Sequence, residues 1–167
     1  MIVILHNIRS LHNVGSIFRT ADAAGVEKIY LCGITPAPVD EFGKPRKQLI
    51  KISLGAEKYV EWEYCKSTTR LIDKLRRDKY KIFAIEQSKK SLPYYKIKFK
   101  NTITRDSIKK IVLVLGNEVS GLPPSVLKRA DKILEIPMYG KKESLNVAVA
   151  FGVVVFHLIN LYNLNND

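Results

Sequence analysis

Short apolar runs punctuate the chain at residues 1–5, 28–33, 81–85, 111–115 and 133–136. Each is rich in Ile, Val, Leu or Tyr and has no polar alternation, which marks strands buried on both faces. Between them, residues 14–24, 71–78 and 124–129 carry apolar positions at helical spacing. This rhythm predicts an α/β fold, a mostly parallel sheet flanked by helices on both faces. Residues 144–161 are apolar almost all round. Their valines suit a strand, but the length favours a helix with Ser144 near its N-cap. A helix greasy on every side has to be buried on every side, so part of it is expected to form a homodimer interface.

Two stretches break the rhythm. Residues 35–51 hold three prolines, one glycine and several charges, and read as a long loop or loose helix at the surface. Residues 89–107 mix lysines with Tyr94, Tyr95 and Phe99. That pattern suits contact with RNA bases and phosphates, and equally a Lys-fringed edge strand.

At 167 residues, with no linker or internal repeat, the chain reads as one domain over 1–167. The apolar N-terminus is too short for a signal peptide, and residues 147–156 are about half of the roughly 20 needed to span a bilayer. A soluble cytoplasmic protein is expected, and Cys32 and Cys65 then read as reduced, buried hydrophobes. The net charge is +12, and residues 41–110 hold 20 basic against 8 acidic residues. The excess thus sits in mid-chain, as either a polyanion-binding face or a solubilising surface.

Three segments carry candidate chemistry. The first, Asn7 to Asp22, leaves a strand and opens a helix, at the edge where parallel sheets bind ligands. Asn13 stands at the helix mouth, and Arg19, nearly two turns on, is placed to share its face; a capping Asn and a surface Arg are the plainer alternative. The second, Val112 to Pro124, runs from a buried strand into Gly116, Asn117, Glu118 and Gly121. Leu122-Pro123 stands where a phosphate loop needs Lys-Ser/Thr, and no G-x-G-x-x-G occurs, which disfavours an ATPase and a dinucleotide enzyme. What remains is a tight turn where backbone approaches a flat ligand closely. The third, Ile136 to Ala150, puts Ser144 and Asn146 at a helix mouth beside an apolar wall. An Asn there is costly unless bonded. No His/Cys/Asp cluster has ligand spacing, so no metal is expected.

In order and separation these segments resemble the SpoU (TrmH-like) branch of the SPOUT RNA methyltransferases. The resemblance rests on Asn13 and Arg19, on Gly116-Asn117-Glu118 with Gly121-Leu122, and on Ile136-Pro137-Met138 with Ser144-Leu145-Asn146. It implies a deep C-terminal trefoil knot, with a cofactor-binding part at roughly 81–160, a homodimer, and S-adenosyl-L-methionine (SAM) as cofactor. The implied reaction is methylation of a ribose 2′-hydroxyl in transfer or ribosomal RNA, gripped by the basic 41–110 region. Arg19 would be the catalytic residue, with Asn13, Glu118, Ser144 and Asn146 as polar companions. Cofactor contacts would come from Ile85 and Glu86, from Leu115, Gly116, Asn117 and Gly121, and from Ile136, Met138, Ser144 and Leu145. Ala148 departs from the Ser that relatives often carry. The alternative is an RNA-binding protein of the same fold whose methylation is weak or lost. His6, His12 and His157 are the remaining candidate bases, His12 foremost.

Overall fold

The computed structural model describes residues 1–98 and 105–163; Phe99, grouped above with Tyr94 and Tyr95, lies outside the described residues. Strands β1 (Ile2–His6), β2 (Lys28–Cys32), β3 (Glu61–Cys65), β4 (Lys81–Ile85), β5 (Leu92–Pro93), β6 (Ile111–Leu115) and β7 (Lys132–Glu135) form one sheet. Its order is β3-β2-β1-β6-β4-β7-β5, and every pairing is parallel. The helices are α1 (Leu11–Ala23), α2 (Lys47–Ser53), α3 (Thr68–Arg77), α4 (Arg105–Lys109), α5 (Pro124–Leu127) and α6 (Val147–Asn163).

The predicted α/β layering holds, and strand residues divide by parity between two cores, as the pleat requires. Val3, Leu5, Leu113 and Leu115 face Phe18 of α1 and Phe151 and Leu158 of α6. Ile4, Val112 and Val114 face Leu71, Ile72 and Leu75 of α3 and Val126 of α5. Each fully buried Ile, Leu or Phe contributes about 1.5–3 kcal/mol, so the five continuous apolar runs decide the fold.

The unpredicted elements are those with little apolar signal. β3 reads Glu-Trp-Glu-Tyr-Cys, an edge strand whose Glu61 and Glu63 pair with Lys28 at 2.6 and 2.9 Å. β5 is two residues long, and α2 starts within the stretch 35–51 expected to be loop or loose helix and runs two residues past it. Cys32 and Cys65 are free; Cys32 is buried, and burial pushes its thiol up to about 12.

The final helix begins at Val147, not Ser144. Asn146 caps it: its side-chain oxygen accepts from the Ala148 N–H and its carbonyl from the Ala150 N–H, both at 2.9 Å. Phe151, Val154, Val155 and Leu158 are buried within the chain, while Val149 and Phe156 remain 52% and 41% exposed. One apolar face of this helix is therefore uncovered. Among the described residues, no helix is long and apolar enough to cross a membrane.

Candidate active site

The parallel sheet aims the carboxyl ends of all its strands at one edge, and two strand-to-loop turns there are drawn together by glycine. At Gly116, directly after β6, a Cβ would lie 2.5 Å from the Gly121 carbonyl carbon and 2.7 Å from the Leu122 nitrogen. Backbone thus packs on backbone with no room for a side chain. Gly121 has φ +63°, and a Cβ there would meet the Glu86 carboxylate at 2.3 Å. That carboxylate is bound into the turn, accepting from the N–H groups of Leu122 at 2.7 Å and Gln87 at 2.9 Å. Glu86 therefore acts as a brace for the Gly121 turn, with both oxygens in use. Asn117 completes the fastening: its amide donates to the Asn7 carbonyl at 2.7 Å, and its side-chain oxygen accepts from the N–H groups of Val119 and Ser120.

Above these turns lies a cavity of about 340 Å³, within the size range of small-molecule and cofactor sites. Ile85, Leu115, Ile136, Met138 and Leu145 form its apolar walls, and Glu86, Gly116, Asn117 and Gly121 its turn side. Asn13, Glu118, Ser144 and Asn146 also line it. Gln87, Leu134, Glu135, Val147 and Ala150 line it too, unforeseen. They adjoin predicted lining residues in sequence or follow a helical turn after Asn146, which is the signal that would have found them.

Three of the polar groups on the rim, Asn146, Asn13 and Glu118, form one chain of hydrogen bonds. Asn146 donates through its amide to Asn13 Oδ1 at 2.9 Å, and Asn13 donates through its own amide to Glu118 Oε1 at 2.9 Å. Glu118 also accepts from the backbone N–H groups of Arg9 at 3.0 Å and Ser10 at 3.1 Å. Ser10 is the N-cap of α1, accepting from the Asn13 N–H. Burial alone would raise the Glu118 carboxyl, but the Arg9 N–H, the Asn13 amide and the Ser10 N–H outweigh it and hold it below the ordinary carboxylate range. So held, Glu118 is a clamp between the β6 turn and the start of α1, and a poor proton acceptor.

Arg19 is not brought to this cavity. It is exposed on α1, whereas Asn13 is 7% exposed and turned inward. Six residues advance a helix by about 600°, leaving the two positions about 120° apart, so they do not share a face. Among the described residues no hydrogen bond or ion pair holds Arg19. Its neighbour Thr20 lies against Gly152 of α6, beside the helix whose Val149 and Phe156 are uncovered. None of the three histidines lines the cavity. His6 is bonded to Thr68 at 2.7 Å and His157 stacks edge-on against Tyr94; burial lowers the pKa of both. Among the described residues no group of three His, Cys, Asp or Glu side chains is placed to hold a metal.

An adenosine-type cofactor fits this donor set. The walls are apolar, the glycine floor admits a flat ring, and the carboxylate nearest the floor is already spent on the protein backbone. Three carboxylates, those of Glu86, Glu118 and Glu135, line the cavity that a cationic sulfonium would enter.

The model for the SpoU rRNA Methylase family matches residues 1–156. A tRNA (guanosine(18)-2′-O)-methyltransferase of Aquifex aeolicus (strain VF5) is 33% identical over 156 residues, covering 93% of this chain and 67% of that protein. The crystal structure of an AdoMet-bound rRNA methyltransferase from Sinorhizobium meliloti aligns at a TM-score of 0.78 with 28% identity, over 95% of this chain and 55% of the other. A structure described as giving insights into 2-OH methylation of C/U34 on tRNA aligns at 0.77 with 25% identity, over 97% of this chain and 95% of the other. The chain spans 57% to 67% of the length of the first curated relatives it matches.

Proposed function

Because this chain belongs to the SpoU rRNA methylase family, we propose that it transfers the methyl group of SAM to a ribose 2′-hydroxyl of a structured transfer or ribosomal RNA. The observation that carries the reading is the rim chain Asn146–Asn13–Glu118, set where the apolar cavity opens. SAM supplies an electrophilic sulfonium methyl, so the protein's task is to hold the ribose oxygen in line and to stabilise it as its proton leaves. Positioning of that kind is worth up to about 7–11 kcal/mol of barrier. Ser144, Leu145 and Asn146, at the mouth of α6, would orient the ribose, and Ile85, Leu115, Ile136 and Met138 would hold the adenosine; that all of them line one cavity supports the assignment.

Arg19 would be the cation that stabilises the developing alkoxide. Its guanidinium offers N–H donors and no acceptor, so it serves as a donor and the proton passes to water or an RNA phosphate. Its exposed position beside the uncovered face of α6 favours a homodimer in which Arg19 of one copy reaches the cavity of the other. The same association would cover Val149 and Phe156. The excess of cations in residues 41–110 supports RNA as the substrate class.

The test is transfer of labelled methyl from SAM to total RNA of a strain lacking the protein, with Arg19→Ala alongside. Label surviving alkali as a 2′-O-methyl dinucleotide, and absent with Arg19→Ala, is expected. SAM binding in a folded protein without any labelled RNA would sink the reading.

A further inference from the structure

A second cavity, of about 700 Å³, opens at the same carboxyl edge of the sheet, on the far side of β1 from the first. Its chemistry differs. Trp62 and Tyr64 stand two residues apart on the edge strand β3, hence on one face of it, and both line the cavity; Tyr64 is 49% exposed. Two guanidinium groups join them, those of Arg9 and Arg46. The Nε–H of Arg46 is buried with no acceptor, an unusual state for a strong donor.

Residues 35–46 fold so as to put Arg46 there. Val39 bridges Pro45 in antiparallel fashion, the Asp40 N–H donates to the Lys44 carbonyl, and the Arg46 N–H donates to the Pro38 carbonyl, both at 2.8 Å. Asp40 lines the cavity too, but its Oδ1 is already occupied by the N–H groups of Phe42 and Lys44. The lining sets Arg9 and Arg46 against Asp40 and Glu41 and is balanced in formal charge, while Lys44, Lys47 and Lys51 add cations in the adjoining sequence. Aromatic faces beside guanidinium donors are what an unpaired base and its phosphate require.

The two cavities are also joined. Arg9 gives its backbone N–H to Glu118 on the rim of the first and is also a lining residue of the second. Counted across the sheet from β2 to β4, the strands beneath the two cavities are about 14 Å apart, three inter-strand spacings of about 4.8 Å. A few nucleotides of one RNA strand bridge that distance.

We infer that this cavity is a second RNA subsite, which takes an unpaired nucleotide flanking the methylated one, its base against Trp62 and Tyr64 and its phosphate on Arg46 and Arg9. The inference rests on the RNA methylation proposed above. It makes the substrate a loop or another unstacked segment, since a paired base presents no face to Trp62.

Trp62 is the one tryptophan of the sequence, so its emission reports on this cavity directly. The full chain is titrated with total transfer RNA and with a short oligouridylate, and methyl transfer is measured in parallel. Wild-type emission is expected to be quenched by RNA. Tyr64→Ala and Arg46→Gln are each expected to raise the RNA dissociation constant and KM by about 5- to 150-fold, the factor that one stacked base or one phosphate contact supplies, with kcat and SAM affinity retained. If the wild type methylates RNA while Trp62 emission stays unmoved, or if both variants keep the wild-type KM, the subsite is overturned and the proposed function stands. If the wild type binds SAM but neither binds nor methylates RNA, the proposed function falls, and the subsite with it.

Discussion

The side chain of Asn146 donates to Asn13 Oδ1 at 2.9 Å, joining residues 133 positions apart in the chain. Its own oxygen meanwhile caps α6 by accepting from the Ala148 N–H. One amide thus spends both ends, one on the helix that forms the cavity wall and one on the helix that opens at its rim. Because Asn13 passes its amide on to Glu118, the orientation of all three is fixed together.

Asn146→Ala removes both bonds and is expected to lower stability by about 1–2 kcal/mol, most of it the lost cap. Asn146→Asp keeps the cap acceptor but cannot donate to Asn13. Urea unfolding should therefore place Asp close to wild type, while methyl transfer falls with both variants. Equal destabilisation by the two would show that the cap is not what Asn146 contributes.

The turn glycines make a graded pair. Gly121→Ala places a side chain at φ +63°, with its Cβ against the Glu86 carboxylate. A cost of about 1–3 kcal/mol is expected, because the carboxylate can swing away at the loss of its bond to Leu122. Gly116→Ala meets only backbone, which has no such freedom. Calorimetry with SAM should find weakened binding for Gly121→Ala and none for Gly116→Ala; the reverse order would contradict the packing described.

Much of this was legible in the sequence because burial is. The strands 1–5, 81–85 and 111–115 are apolar on both faces, and the structure keeps their limits within a residue. Strand β3 hid because its Glu61 and Glu63 face Lys28 rather than a core. Contacts of high sequence separation were out of reach of any spacing argument, as the Asn13–Glu118 bond across 105 residues shows. The same holds for the bond by which Glu86, a lining residue of the cavity, also braces Leu122 across 36 residues. The pairing of Asn13 with Arg19 failed for a simpler reason, since six residues fall short of two full turns.

Glu118 ties stability to pH. Its carboxyl lies below the ordinary range when folded, so the clamp contributes fully above the unfolded value of about 4.5. That contribution is lost as pH falls through the lower, folded value. Glu118→Gln should therefore be less stable than wild type at neutral pH and converge with it in acid. Parallel stability curves for the two proteins, from neutrality down to the acid limb, would exclude the clamp.

The position of Arg19 yields the sharpest test. It is exposed and bonded to nothing described, so Arg19→Ala should leave stability within about 0.5 kcal/mol of wild type while abolishing methyl transfer. If the arginine serves a partner's cavity, two dead variants can repair each other. Arg19→Ala has an intact Asn146 rim, and Asn146→Ala has an intact Arg19. In a mixed dimer, the cavity of the first meets the arginine of the second, and one complete site is restored. Equal mixing makes half the dimers mixed, each with one good site of two, so about a quarter of wild-type activity should return on unfolding and refolding the pair together. An arginine acting within its own chain predicts no recovery, because every cavity would still lack one of its two groups.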